Sequence, residues 1–296
     1  MEIRVLRYFI TVAREENITK AAEKLHITQP TLSRQLHQLE EELGKTLFRR
    51  GNHDIKLTED GYLLRKRAEE ILDLVEKTES EMKSADEEIA GDIYIGAGET
   101  DAVRIVAKIV KDIQKENPKV RFHNISCDSI DVIDKLNKGL IDFGILFEPS
   151  NYTAFEHIKF PVHDTWGVLM RKDSDLANNE YITSEMLADR PLILSRQMMN
   201  GLDFSEWIGL PKEKIKMVAT SNLIFNGSLL VDEGMGYAIT LDKLINCSGD
   251  SDLCFRPLYP HKTAQMYLVW KKHQVFSKAA ELFLERFRIK TNKSNY

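Results

Sequence analysis

Apolar residues near the start of the chain recur every three or four positions, which is the spacing of one helix face. The first such set predicts a helix and consists of Leu6, Phe9, Ile10 and Ala13. Residues 20–25 predict a second, shorter helix with Thr19 as its N-cap. The alanines of this second helix are small enough to let a neighbouring helix approach closely. The chain is therefore expected to open with two short helices that pack together.

A third helix follows after only three residues, 26–28, which form the predicted turn. Thr28 is its predicted N-cap, and Pro30 falls in the first turn, where a missing N–H has no helical partner to lose. The helix is predicted to run to Leu43, because Gly44 is a typical stop. Two helices joined by so short a turn form a helix-turn-helix.

The periodicity of the third helix separates an inward face from an outward one. The inward stripe recurs at i, i+4, i+7 and i+11 and consists of Leu32, Leu36, Leu39 and Leu43. The residues predicted to contact DNA lie outward or at the start of the helix: Thr28, Gln29, Pro30, Thr31, Ser33, Arg34 and His37. Such groups reach base edges and phosphates in a major groove, with Arg34 suited to guanine and Gln29 to adenine. The alternative interpretation is an ordinary solvated helix face.

The next segment, KTLFRRGNHDIKL (residues 45–57), predicts two short strands joined by a turn. The pair Gly-Asn is a turn signal, and Ile55 and Leu57 alternate with polar neighbours. A helix-turn-helix followed by such a hairpin is a winged helix-turn-helix. Arg49 and Arg50, in the first strand, are predicted to hold phosphates.

Charge in this first region is balanced but segregated. Residues 1–60 contain ten Lys and Arg and ten Asp and Glu residues. Three glutamates, residues 40–42, stand at the far end of the third helix, whereas Arg34, Arg49 and Arg50 lie toward the predicted groove. DNA binding should therefore depend on few phosphate contacts.

Residues 58–89 predict one long helix. Its apolar positions follow a heptad-like 4-3 spacing and are Leu64, Ala68, Ile71, Val75, Thr78, Met82, Ala85 and Ile89. The preferred interpretation is a linker through which two chains dimerise, so that two reading helices reach two half-sites. The alternative is a long amphipathic helix that packs on its own domain.

From residue 92 the pattern changes to alternating strands and helices, which is typical of an α/β fold. The predicted strands are DIYIGAG, VRFHNIS, IDFGILF, PLILS, IKMVAT, YAIT and MYLVWKK. The predicted helices are residues 103–116, SIDVIDKLNKG, NLIFNGSLLVDEG and residues 277–289.

Composition narrows the class of protein only a little. The 296 residues suit about two domains, and the 43% apolar share is enough for packed cores. The net charge of −5 gives no hint of nucleic acid. We expect no signal peptide and no membrane span, since no run approaches eighteen apolar residues. The three cysteines form no CxxC pair and are interpreted as reduced thiols in a cytosolic protein. Catalytic motifs and metal-ligand spacings are missing from the sequence, so an enzyme, a cofactor and a metal are not expected.

Residues 1–90 resemble the LysR-type transcriptional regulators. The resemblance is carried by LRYFITVARE, NITKAAEKLHITQPTLSRQLHQLEEELG and LFRRGNHDIKLTEDG, followed by the long helix. Asn52, His53 and Asp54 depart from it, because the family often has more basic residues at the tip of the wing. The second half resembles the family's effector domain in layout, with NKGLIDFGIL and LVDEGMGYAI as its best local matches.

The resemblance implies an α/β protein with three parts. These are a winged helix-turn-helix over 1–58, a dimerising linker helix over 59–90, and a periplasmic-binding-protein-like effector domain over 91–296. Subdomain I of the effector domain is expected at about 91–161 and 267–296, and subdomain II at about 162–266. The implied protein is a cytoplasmic transcriptional regulator that binds double-stranded promoter DNA and a small effector, and forms homodimers and homotetramers. The alternative is an architectural DNA-binding protein that needs no ligand.

In that architecture the effector lies between the subdomains, near the carboxyl ends of strands and the N-termini of helices. The candidates by position are Glu99, Thr100, Cys127, Asp128, Ser129, Phe147, Ser195, Arg196 and Gln197. Each has an alternative interpretation as a helix cap or a solvated loop residue. A carboxylate at Glu99 on one lip and a guanidinium at Arg196 on the other would suit an amino acid or similar zwitterion. The alternative is that Glu99 points to solvent.

Overall fold

The structure, a computed structural model, describes residues 1–50, 55–83, 89–147, 154–196 and 204–292. The chain forms two compact units, Met1–Lys83 and Ser84–Tyr296, which we call unit 1 and unit 2. Each unit has its own hydrophobic core.

Unit 1 is the predicted winged helix-turn-helix with a long helix after it. Its elements are α1 (Ile3–Glu15), α2 (Ile18–Lys24), α3 (Gln29–Leu43), β1 (Phe48–Arg50), β2 (Ile55–Leu57) and α4 (Glu59–Lys83). The two strands pair antiparallel, with Phe48 opposite Leu57. Leu32, Leu36 and Leu39 of α3 are buried in one core with the apolar face of α1. The rings of Phe9 and Phe48 lie 5.2 Å apart, so the wing joins this same core.

Two local predictions in unit 1 are wrong. The N-cap of α2 is Asn17, whose side-chain oxygen accepts a hydrogen bond from the backbone N–H of Lys20 at 3.0 Å. Thr19 instead lies inside the first turn, because the helix begins one residue before it. Leu43, assigned to the buried stripe, is 39% exposed, since it is the last residue of α3 before the left-handed Gly44.

Thr58 and Gly61, three residues apart, each have a structural role at the junction between the wing and α4. The hydroxyl of Thr58 donates to the carbonyl of Thr46 at 2.7 Å and accepts the N–H of Gly61 at 3.0 Å, which caps α4. A Cβ atom on Gly61 would lie 2.2 Å from the carbonyl oxygen of Leu47. Only glycine therefore lets the start of α4 lie against the strand segment.

The long helix differs from its prediction at both ends of the apolar stripe. Ala68 is fully buried in the core of unit 1 and Leu64 packs against that core, so the assignment of Ala68 to a dimer seam is wrong. Ile89 is not helical and packs against the core of unit 2. The predicted helix end at Ile89 is therefore also wrong, and Ala85 lies outside the described residues.

Unit 2 alternates strands and helices, as predicted. Its strands are β3 (Gly91–Ala97), β4 (Val120–Ser126), β5 (Phe143–Phe147), β6 (Phe155–Arg171), β7 (Ile182–Thr183), β8 (Pro191–Ser195), β9 (Lys216–Ser221), β10 (Tyr237–Leu241), β11 (Leu253–Tyr259) and β12 (Thr263–Lys271). Its helices are α5 (Val103–Glu116), α6 (Ser129–Asn137), α7 (Ser184–Leu187), α8 (Phe204–Ile208), α9 (Ile224–Asp232) and α10 (Lys278–Asn292).

The strands of unit 2 are hydrogen-bonded in the order β4-β3-β5-β12-β6-β10-β8-β9, with β11 on β6 and β7 on β11. The long strand β6 changes partners along its length. Up to Thr165 it pairs with β12, and from Trp166 it pairs with β10 and with β11. We use subdomain I for β3, β4, β5, β12 and the first part of β6, and subdomain II for β8–β11 and the rest of β6.

Helices cover both faces of the sheet in each subdomain, as the separate apolar clusters show. In subdomain I, α5 and α10 pack on one face and α6 on the other. In subdomain II, α8 and α9 contribute to two different clusters. The carboxyl ends of β3, β4 and β8 carry the loops in which most of the predicted effector residues lie.

Candidate functional site

The outward face of α3 is free in unit 1. Of the seven residues in α3 and at its N-cap that are predicted to contact DNA, five are exposed: Thr28, Gln29, Pro30, Arg34 and His37. Thr31 and Ser33 are half-buried on the flank. Since Leu32, Leu36 and Leu39 anchor the opposite side, α3 presents a polar surface of fixed orientation.

The start of α3 keeps its backbone amides uncapped by a side chain. Thr28 occupies the N-cap position, but its hydroxyl bonds to the hydroxyl of Thr31 at 2.8 Å instead of to a backbone N–H. The first-turn N–H groups of a helix attract anions such as phosphate. Thr28 thus occupies the predicted N-cap position, but its side chain does not cap the helix. Its hydroxyl stays at the exposed end of the helix.

The wing contributes an exposed cation beside this surface. Arg49 is exposed on β1 and lies opposite Lys56 of β2. The side chain of Arg50 and the wing-tip residues Asn52, His53 and Asp54 lie outside the described part of the chain.

The acidic run at the end of α3 is partly structural. One carboxylate oxygen of Glu40 accepts the backbone N–H groups of Leu47 at 2.7 Å and Phe48 at 3.2 Å. This pair of hydrogen bonds fixes the start of the wing on α3. Glu42 pairs with the amino terminus of Met1 at 2.8 Å. Glu40 therefore has a structural role, whereas the exposed pair of Glu42 and Met1 adds little stability.

In unit 2, Glu99 reaches across from the end of β3 to the other subdomain. Its carboxylate accepts a short hydrogen bond from the backbone N–H of Ile224, the first residue of α9. The N-cap residue of α9, Leu223, has no capping side chain of its own. Glu99 thus lies at the positive end of α9 and does not point to solvent.

A second charged contact crosses between the same loops. The guanidinium of Arg196, after β8, donates to Asp128 at 2.9 Å. Asp128 is buried and caps α6, because its other oxygen accepts the N–H groups of Ile130 at 3.1 Å and Asp131 at 3.0 Å. The contact joins subdomain I to subdomain II through one buried carboxylate.

Thr100 connects Glu99's loop to a buried acid that sequence reasoning missed. Its hydroxyl donates a short hydrogen bond to Asp164 of β6 and accepts the N–H of Ala102 at 3.1 Å. Burial raises the pKa of Asp164, the hydrogen bond from Thr100 opposes this, and the nearby carboxylate of Asp242 raises the pKa further. In the sequence the only indication of this buried acid was a single aspartate within the run FPVHDTWGVLM.

The remaining predicted effector residues fall into different environments. Phe147 is half-buried and stacks on Trp166 of β6, with ring centroids 5.9 Å apart. Ser129 is the first residue of α6, and Ser195 ends β8 opposite Ser221. Gln197 lies outside the described residues.

Cys127, the last of the predicted effector residues, has a half-buried thiol directed at the carbonyl of Ile125 at 3.6 Å. All three cysteines are free, and burial raises the pKa of each thiol. In the described part of the chain, no three His, Cys, Asp or Glu residues are grouped so that they could hold a metal ion. The helices described here include none that is long and apolar enough to cross a bilayer.

The fold and the exposed face of α3 define a winged helix-turn-helix protein with an appended two-subdomain α/β unit. The sequence matches the family described as "Bacterial regulatory helix-turn-helix protein, lysR family" over residues 3–62, and "LysR substrate binding domain" over residues 86–291. The chain belongs to the LysR family of bacterial transcriptional regulators. It is a DNA-binding regulator with an effector-binding domain, as the resemblance implied.

Individual relatives agree with this assignment. The HTH-type transcriptional regulator AlsR of Bacillus subtilis (strain 168) is 32% identical over 243 residues, which are 80% of this chain and 79% of AlsR. The crystal structure of CbnR, a LysR family transcriptional regulator, has a TM-score of 0.78 at 19% identity, covering 98% of this chain and 99% of CbnR. Full-length CbnR in complex with its target DNA has a TM-score of 0.76 at 20% identity, covering 99% of this chain and 100% of that one. The predicted fold class is confirmed.

Proposed function

We propose that α3 reads base edges in the major groove of a promoter operator, and that Arg49 and Arg50 hold phosphates beside it. The single observation that carries this proposal is the arrangement of α3, which buries Leu32, Leu36 and Leu39 and exposes Gln29, Arg34 and His37. The similarity in fold to full-length CbnR in complex with its target DNA supports DNA binding by this chain.

We further propose that a small molecule between subdomains I and II changes this DNA binding. Two contacts from opposite subdomains, Glu99 to Ile224 and Arg196 to Asp128, lie on neighbouring loops, because β3 pairs with β4 and β8 pairs with β9. The chain would act by binding alone, in the cytoplasm, without catalysing a reaction. Dimers would form through the exposed face of α4, and tetramers through contacts between effector domains.

The test begins with a selection of genomic fragments bound by the full-length protein, which yields an operator. Arg34→Ala should then weaken operator binding by about 1–3 kcal/mol, or roughly fivefold to 150-fold, and relax the preference at one base pair. Arg14→Ala removes an equal charge from the exposed end of α1 and serves as the control. Unchanged operator discrimination in Arg34→Ala would show that α3 is not the reading element.

Ligand response is measured separately, by gel shift of the same operator with and without small molecules. A shift in affinity with a ligand supports the regulator. Identical binding under all conditions would instead support an architectural protein that needs no ligand.

A further inference from the structure

Two of the contacts that cross between the subdomains, those of the loops after β3, β4 and β8, share one polarity. Subdomain I supplies both carboxylates, Glu99 and Asp128, and subdomain II supplies both positive groups, the amide of Ile224 and the guanidinium of Arg196. At these two contacts subdomain I is therefore negative and subdomain II is positive. In these contacts the charged groups of one subdomain are satisfied by those of the other.

The burial of Asp128 limits what can replace Arg196. Asp128 is 3% exposed, and one of its oxygens is used by the backbone of α6. If a ligand displaced Arg196 without bringing a positive charge, a buried carboxylate would lose its cation, which is strongly unfavourable. The group that faces Asp128 must therefore be cationic.

Glu99 imposes a matching condition on the other pair. A ligand carboxylate that takes the N–H of Ile224 must displace the carboxylate of Glu99, because both accept from the same donor. Two carboxylates this close repel each other unless a positive group lies between them. The same ligand must then carry a positive charge toward Glu99 and a negative charge toward α9.

We propose that the cleft binds a zwitterion of the amino-acid type, which replaces both contacts at once. Its ammonium group binds Glu99 and Asp128, and its carboxylate binds the amide of Ile224 and the guanidinium of Arg196. This inference rests on the proposed ligand response of unit 2. A dicarboxylate would meet like charge on subdomain I, and a simple amine would leave the positive groups of subdomain II without a partner.

The experiment uses the full-length protein and follows thermal unfolding and calorimetric binding. The probes are the twenty common L-amino acids, succinate and benzoate. Each amino acid that binds is retested as the amine without the carboxylate and as the acid without the amine. We expect an amino acid to bind and both of its truncated analogues to bind at least tenfold more weakly.

Two variants and two matched controls assign the binding to the cleft. Glu99→Gln keeps an oxygen for the N–H of Ile224 but removes the charge, and Arg196→Gln removes the opposite charge. Each should weaken amino-acid binding at least tenfold. Glu156→Gln, at an exposed position, and Arg286→Gln, whose side chain is 42% exposed, make the same changes elsewhere in unit 2 and should leave binding unchanged. Arg196→Lys keeps the positive charge. If it still binds the amino acid, the loss of binding in Arg196→Gln reflects the missing charge and not a folding defect.

The proposal is overturned if succinate or benzoate binds and no amino acid does, if no probe binds, or if Glu99→Gln and Arg196→Gln bind like the controls. Its failure remains distinct from failure of the proposed function. Binding of succinate that also shifts the operator complex would retain a ligand-responsive regulator and remove only the zwitterion. Amino-acid binding in the cleft with no effect on the operator complex would retain the zwitterion and remove the ligand-responsive regulator.

Discussion

Asp164 is a buried side chain in unit 2 whose ionisation is opposed by its surroundings. It is 1% exposed, lies on β6 near the point where that strand changes partners, and receives the hydroxyl of Thr100. Burial, the largest cause, raises its pKa, and Asp242 adds to the effect. Such an acid costs stability once it is ionised in the folded protein.

The pH dependence of unit 2 should reveal this cost. In the unfolded chain Asp164 loses its proton near the ordinary pKa of an aspartate, whereas in the folded chain it holds the proton to higher pH. Between these two pKa values the folded state binds more protons, so the free energy of unfolding falls as pH rises. Asp164→Asn should remove this decline, as measured by thermal unfolding across that window. The control, Asp134→Asn, changes an exposed carboxylate and should decline like the wild type. If the free energy of unfolding still declined in Asp164→Asn, the decline would be caused by other groups.

The positions of the cleft residues were predictable, but their partners were not. Glu99, Asp128 and Arg196 follow strands, and the ends of parallel strands are where sites form in α/β proteins. Their contacts join residues 125 and 68 positions apart in the chain, and only the folded sheet brings these together. The sequence pattern likewise gave no sign that Glu99 would contact α9 instead of the helix after it.

Regular elements with a strong period were predicted well, and irregular strands were missed. The predicted bounds of α5 and of β8 agree with the structure, because an amphipathic helix and a short apolar run are distinct patterns. Neither β6 nor β11 was predicted as a strand. Polar residues interrupt β6, and β11 contains Arg256 and Pro257. The guanidinium of Arg256 is satisfied by the carbonyls of Ala177 and Asn179, which no local pattern indicates.

The contact of α4 with the wing makes Gly61 the residue on which their packing depends. Gly61→Ala should improve helix propensity yet destabilise unit 1 by about 1–3 kcal/mol, because the new methyl group would overlap the carbonyl of Leu47. Denaturant unfolding of the fragment 1–90, which contains the whole core of unit 1, measures this change. Lys66→Ala, at an exposed position of the same helix, should stay within about 0.5 kcal/mol of wild type. Equal stability of Gly61→Ala and the control would mean that the junction relaxes without cost.

For the protein as an assembly, one surface of α4 remains apolar after unit 1 has formed its core. Leu64, Ala68 and Leu72 face that core. A neighbouring stripe is exposed and consists of Leu63, Ile71, Leu74 and Met82. At 100° per residue these four lie within about one third of the helix circumference. An exposed apolar stripe of this kind favours a partner helix, and the proposed dimer would use it.

Two charges placed in that stripe should prevent the dimer. Ile71 and Leu74 are 37% and 42% exposed in the single chain, so their replacement leaves the core of unit 1 intact. In the fragment 1–90, Ile71→Asp with Leu74→Asp would bury two unpaired carboxylates at the interface, which is strongly unfavourable. We expect the wild-type fragment to sediment as a dimer and the double variant as a monomer. Lys66→Asp makes the same change in net charge at an exposed position of α4 outside the stripe, and should remain dimeric. A monomeric wild-type fragment at high concentration, or a double variant that dimerises like Lys66→Asp, would show that α4 is not the dimer interface.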